Sequence, residues 1–139
     1  MTDRLTFLSH FCIMLAIAAG GYFAYRAGIP QMVAANDLSR MTSVLAALLL
    51  ITAIYLGWKG WSGPMTYCRY GHLAARLSVM IGMLGTTVGL SLQAKTLVSS
   101  GTAGLLPLST SLFTTGSGIL AAILIEIMVF NIETIREDR

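Results

Sequence analysis

The sequence predicts an all-α integral membrane protein with four transmembrane helices, and three observations carry that prediction. The chain of 139 residues is 55% hydrophobic and only 11% charged. Its mean hydropathy is +0.75. Its charges fall between four long apolar runs. One soluble domain of this size cannot hide so much apolar surface, whereas each bilayer crossing consumes about 20 apolar helical residues.

The first run, Leu5 to Tyr25, has His10 as its one readily charged side chain. Arg4 precedes it as in a signal peptide, but the run is too long for an ordinary signal. Arg26 also stands where a small-residue cleavage site belongs, so a retained helix is expected. The second run is Met41 to Trp58 and the third Leu77 to Ala94. The fourth lies within Thr96 to Ile125, where Pro107 sets a start near Leu105 and the helix continues past Glu126. The expected spans are 5–25, 41–60, 77–97 and 105–131, in one membrane domain covering 1–139, with the last two extended and lining the interior of an oligomeric ring. The connections are short. Residues 26–40 hold Gly28, Pro30, Asn36 and Asp37 and read as a turn-rich link. Residues 59–76, with Gly60, Gly63, Pro64 and Gly71, read as the largest loop. Residues 95–104 carry Ser99, Ser100, Gly101 and Gly104. None is long enough to fold as a separate domain, so no enzymatic module is expected.

Lysine and arginine set the expected orientation. With both termini inside, that side carries Arg4, Lys59, Arg69, Arg76, Arg136 and Arg139, against Arg26, Arg40 and Lys95 outside. The excess favours cytoplasmic termini. A net charge of +3 scattered at membrane edges calls for no nucleic-acid partner. Cys12 and Cys68 are poorly placed for a disulfide, and two lone cysteines make no metal site. No cofactor is expected.

The most informative stretches are Gly82 to Gly89 (GMLGTTVG) and Ser111 to Gly118 (SLFTTGSG), both free of charge. Helical steps of three and four put Gly82, Gly85, Thr86 and Gly89 on nearly one face. Ser111, Thr115, Gly118 and Ala122 follow the same rule in the last span, with Gly116 beside them. Small residues let membrane helices approach closely. Two readings of Thr86, Thr87, Thr114 and Thr115 stand. In one, each hydroxyl bonds back to the preceding turn. In the other, Thr86 and Thr115 meet across the helix pair and form a polar ring in an oligomer.

Charges inside the membrane are nearly absent. Lys95 sits at the outer end of the third span, where its stem snorkels. Glu126 falls near the inner boundary, where Arg76 and Lys59 are candidate partners and its role is left open, and His10 lies just inside the first span. A proton-driven transporter acting alone carries an acid in mid-span. Here the titrating group for any proton movement must come from another chain.

Residues Met80 to Asn131 resemble the MotA/TolQ/ExbB proton-channel family. The Gly82–Gly89 block is similar to that family's G-x-x-G-T-x-x-G, and Ser111–Ile123 to its A-L-x-x-T-x-x-G-L-x-A-A-I. The resemblance covers about 50 residues, and the first two spans match only in outline. It implies a ring, typically pentameric, around the helices of a dimeric single-span partner of MotB, TolR or ExbD type in the bacterial inner membrane. The partner's transmembrane aspartate would be protonated from outside and released inside, turning proton-motive force into mechanical work. Thr86 and Thr115 match the family's threonines and would face that aspartate, in a path completed by Thr87, Thr114 and Ser111. Thr110 stands where some relatives carry an acid, and Leu124 where a proline is common. The large cytoplasmic region of the family is reduced to residues 59–76, which argues against flagellar torque. The expected function is thus the ring-forming subunit of a compact energiser complex driven by protons or sodium. The alternatives are a non-energised membrane scaffold and a small holin-like pore former.

Overall fold

The computed structural model describes residues 2–36, 40–62, 68–100 and 105–137, all helical apart from short turns and with no strand among them. The helices are α1 (Thr2–Arg26), α2 (Ile29–Asn36), α3 (Met41–Ser62), α4 (Arg69–Ser100) and α5 (Leu105–Glu137). Four of them contain segments long and apolar enough to cross a membrane: Phe7–Arg26, Met41–Trp61, Arg69–Ser99 and Ser111–Thr134. The chain is a multi-pass membrane protein by that criterion.

The connections are shorter than the sequence implies, for local reasons. The link over 26–40 contains α2, whose first turn holds Pro30 where a missing N–H costs nothing. Gly28 turns the chain with φ +75°, and its carbonyl accepts the first α2 bond from Met32 N–H at 3.0 Å. The expected loop over 59–76 is mostly helix. Gly60 lies in α3, and Gly71 lies in α4 rather than in a turn. Bare of a side chain, Gly71 makes a notch where a Cβ would strike Val129 Cγ2 of α5. Only 63–68 lie between α3 and α4, and Gly63 and Pro64, within 63–67, are outside the described residues. Ser99 and Ser100 end α4, and Gly101 and Gly104 are likewise outside them. Arg139, counted for orientation, is outside them too.

The long helices alternate in direction, α1 and α4 running one way and α3 and α5 the other. Their lower end, which holds the start of α1 and the end of α5, is fixed by cross-helix pairs. Phe7 meets Trp61 edge-on at 5.1 Å. His10 Nε2–H donates to the Ala53 carbonyl at 3.2 Å, and Asn131 Nδ2 donates to Ser9 Oγ at 3.0 Å. His10 is buried and staples α1 to α3. The apolar core lies at the same end, where Leu56, Cys68, Ala74, Ala75, Ile125, Met128, Val129 and Ile132 close on one another. Helix α5 is central and touches every other helix. Helix α1 has one buried residue in its span, His10, with Ile13, Met14 and Ile17 half-buried against the core.

Exposed aromatics band both ends. Trp58, Trp61 and Tyr70 ring the lower end, and Tyr22, Phe23 and Tyr25 the upper end. Phe7 and Tyr25 are about 27 Å apart along α1 at 1.5 Å per residue, close to the hydrocarbon thickness of about 30 Å. Such belts sit at the membrane–water boundary. By the same rise α4 and α5, with 32 and 33 residues, are each roughly 50 Å long. They therefore extend past the bilayer, or tilt within it.

The closest helix contact is between α4 and α5. A Cβ on Gly118 would come within 2.7 Å of the Ser78 carbonyl and 2.8 Å of Gly82 Cα. Both obstacles are backbone and cannot rotate away. A Cβ on Gly116 would meet nothing within 4 Å. Gly118→Ala is therefore expected to force α4 and α5 apart at a cost of about 1–3 kcal/mol, while Gly116→Ala is expected to be neutral or slightly stabilising. Thermal unfolding of both variants in detergent checks this, and equal midpoints would contradict the contact.

Candidate functional site

The α4/α5 pair is antiparallel with an even register, so each step up α4 is matched by a step down α5. Its glycines set the distance. Gly82 lies against Gly118 and the Thr114 carbonyl, both at 3.1 Å from a would-be Cβ. Gly85 receives the side chain of Thr114, whose Cβ and Oγ1 would each be 2.6 Å from an added Cβ. Gly89 is buried further up.

This approach brings Thr86 and Thr115 together, and their hydroxyl oxygens are in direct hydrogen-bond contact. Thr86 also reaches the Gly82 carbonyl at 3.2 Å, and Thr115 donates to the Ser111 carbonyl at 2.9 Å. Ser111 Oγ donates to the Thr86 carbonyl at 3.3 Å. Two helices thus share one half-buried patch of hydroxyls. The proton of Thr115 is committed to its own helix, and that of Thr86 goes to Gly82 or across to Thr115. What the pair leaves open is oxygen lone pairs, which suit a donor such as a protonated carboxyl and repel a carboxylate.

Other expected site residues are placed differently. Thr114 is fully buried, donates to the Ser111 carbonyl at 3.2 Å and fills the Gly85 notch, so it packs the seam without lining an open surface. Thr87 is exposed away from the pair and donates to the Leu84 carbonyl at 2.7 Å. Gly116 is exposed and contributes nothing to the α4/α5 contact, because the seam passes through Ser111, Thr115, Gly118 and Ala122. Ala122 is buried between the helices.

A second polar group occupies the lower end of the same seam. Glu126 pairs with His72, and with neither of the candidate cations Arg76 and Lys59. Its carboxylate lies 3.1 Å from His72 Nδ1, while His72 Nε2 lies 3.3 Å from Glu133 Oε1. Glu133 Oε1 also accepts the Cys68 N–H at 2.8 Å. Cys68 is buried and immediately precedes α4, its carbonyl taking the N–H groups of Gly71 and His72 at 2.8 and 3.2 Å. Glu133 thus caps the start of α4 from α5, where the helix dipole favours negative charge. Glu126 and Glu133 share a face of α5 because seven residues are nearly two full turns. Reading residues 59–76 as a loop hides His72, which lies three residues inside α4. The seven-residue spacing of the two glutamates was the available signal.

An apolar groove of about 560 Å³ lies along the seam above the lower cluster. It is lined by Val79, Ile119, Ala122, Ile123, Ile127 and Phe130, with Glu126 at its lower part. Among the described residues no three His, Cys, Asp or Glu side chains are arranged to hold a metal ion. Comparison with protein-family models, curated proteins and solved structures gives no match. The seam's chemistry is therefore argued from this chain alone.

Glu133→Ala removes the acceptor of the Cys68 N–H and one partner of His72. It is expected to cost about 1–3 kcal/mol, as for a charged hydrogen-bond partner withdrawn from a half-buried group. Hydrogen exchange is expected to accelerate in the first turn of α4 and not in its Gly82–Gly89 segment. Unchanged exchange at Cys68 to His72 would contradict the cap.

Proposed function

We infer that this chain is the ring-forming subunit of a membrane energiser complex, with its α4/α5 seam turned toward a partner's transmembrane helix that carries a carboxyl group. The observation that carries this reading is the Thr86–Thr115 hydroxyl contact between two stretches, 82–89 and 111–118, that carry no charge. A partner carboxyl beside these oxygens is held best when protonated, since they accept and have little left to donate. It ionises where water reaches it. Each charge moved across the membrane potential yields about 2.3 kcal/mol per 100 mV. The chain's resemblance to the MotA/TolQ/ExbB family points the same way and supplies the expected arrangement, a homo-oligomer around a dimeric single-span partner in the inner membrane. Sodium in place of protons is the variant of this reading.

A non-energised scaffold is the second reading. One observation favours it: Thr86, Thr87, Thr114 and Thr115 all reach carbonyls of their own preceding turns, as purely structural threonines do.

Thr86→Val and Thr115→Val separate the two. They keep shape and remove the hydroxyl. Under the energiser reading each lowers partner-dependent ion flux by about fivefold, the worth of one hydrogen bond of roughly 1 kcal/mol. Membrane insertion and the native mass of the complex are expected to stay unchanged. Loss of insertion or assembly with unaltered flux per assembled complex would favour the scaffold.

A further inference from the structure

The lower cluster has a proton-counting property that its geometry alone imposes. A neutral imidazole has one N–H and one bare nitrogen. Both ring nitrogens of His72 face carboxylate oxygens, at 3.1 Å and 3.3 Å. With the ring neutral and both glutamates ionised, one contact would set a lone pair against an anionic oxygen. Two protons shared among the three groups would satisfy both contacts. Glu133 Oε1 already accepts a backbone N–H, so it is best placed to remain ionised and accept from Nε2–H as well. The remaining proton then lies between Nδ1 and Glu126, as an imidazolium beside a carboxylate or as a carboxylic acid beside a neutral ring.

That proton is on the open side. The Glu126 side chain is 48% exposed, against 20% for Glu133, and it borders the apolar groove. Glu126 is also deep. It lies five residues above Asn131, about 7.5 Å along α5, and Asn131 is bonded to Ser9, two residues from the Phe7–Trp61 layer. A half-exposed carboxylate inside an aromatic belt is costly against lipid, and such groups face water or protein. Other charges belong to the surroundings: Arg69 and Arg76 flank His72 three residues before and four after on α4, and Lys59 lies in the last turn of α3 at the same end. Helix α1 brings His10, which is committed to the Ala53 carbonyl.

We propose that His72, Glu126 and Glu133 form a proton-binding site at the lower end of the α4/α5 seam, with Glu133 and the Cys68 N–H fixing the ring and Glu126 exchanging the proton with the groove. Thr86, Val79 and His72 recur at intervals of seven on α4, and Ile119, Glu126 and Glu133 do so on α5, so the groove at Val79, Ile119 and Glu126 lies on the face between hydroxyl pair and cluster. Thr86 and His72 are about 21 Å apart along α4, and the residues lining the groove between them carry no titratable group above Glu126. Only water or a group from another chain can bring a proton down that interval. Delivery by a partner carboxyl rests on the energiser reading, whereas the binding site itself does not.

Titration of the purified full-length chain in lipid nanodiscs tests the site. Nitrogen NMR of the two histidines, with the His72→Gln spectrum for assignment, reads the ring. Infrared difference spectra read protonated carboxyl. Across the titration, His72 and Glu126 are expected to lose one shared proton in a single step, visible in both spectra. Glu126→Gln abolishes that joint step. A neutral His72 with no protonated carboxyl throughout the titration overturns the site, as does a histidine titration that Glu126→Gln leaves unaltered. The wild-type titration decides even where the variant fails to fold. In proteoliposomes containing the chain with its single-span partner, Glu126→Gln is expected to slow proton flux severalfold, and unaltered flux overturns the delivery step. A wild-type complex that conducts no protons overturns delivery and the energiser reading together, with the titration still deciding the binding site.

Discussion

The backbone contact of Gly82 with Gly118 is the constraint on which the rest of the seam depends. Lipid tails are as apolar as leucine, so burial gives membrane helices little reason to associate. Close van der Waals contact and hydrogen bonds must supply it, and both fall off steeply with distance. Without side chains at these positions, α4 and α5 approach until carbonyls and α-carbons touch. The consequences spread both ways along the pair. Upward, Thr114 drops into the Gly85 notch and Thr86 reaches Thr115. Downward, Val129 fills the Gly71 notch and His72 reaches two glutamates. One register therefore serves packing and both polar levels.

That register also explains why the polar groups are separated. Seven residues fall about 20° short of two full turns, so a stripe of sevens stays on one face over two or three repeats. On α4 the stripe reads His72, Val79, Thr86, polar at its ends and apolar between. On α5 it is answered by Glu126 opposite His72 and Thr115 opposite Thr86, with Ile119 and Ala122 between. Continuous polarity along the seam would invite a standing file of water and a leak. An apolar interval between two polar levels keeps them apart unless something carries charge across it.

The spans and the upper site were legible in the sequence because they follow from local rules. Apolar run length gave four helices, and steps of three and four put Thr86 with the α4 glycines and Thr115 with those of α5. What failed were inferences from residue type alone. Gly60 and Gly71 read as turn formers, yet a glycine in a membrane helix is as often a site of close approach, and Gly71 receives Val129 of α5. That misreading shortened α4 and left His72 outside it. Arg76 and Lys59 were then the partners open to Glu126. Thr87 and Gly116 show how narrow the packed faces are. Each lies one residue from a seam position, and about 100° of helical rotation is enough to turn them away.

The lower cluster bears on which face of the bundle looks inward in an assembly. Helix α1 has a single buried residue in its span, and α3 turns Leu50, Ile51 and Ile54 outward, all of them content in lipid. The α4/α5 groove is different, since it combines apolar walls with a half-exposed carboxylate. A charged Glu126 is costly against hydrocarbon, whereas a water-filled or protein-lined interior accepts it at little cost. Thr86 and Thr115 lie higher in the same seam. Under the energiser reading, both polar levels then border the space that a partner helix occupies, with α1 and α3 as the lipid-facing wall. A carboxyl on that helix would be held protonated at the threonines and lose its proton toward a cluster whose negative charge and bare ring nitrogen receive it. Direction would then come from the difference between the two ends of one seam, with acceptors for a protonated acid above and an acceptor for its proton below.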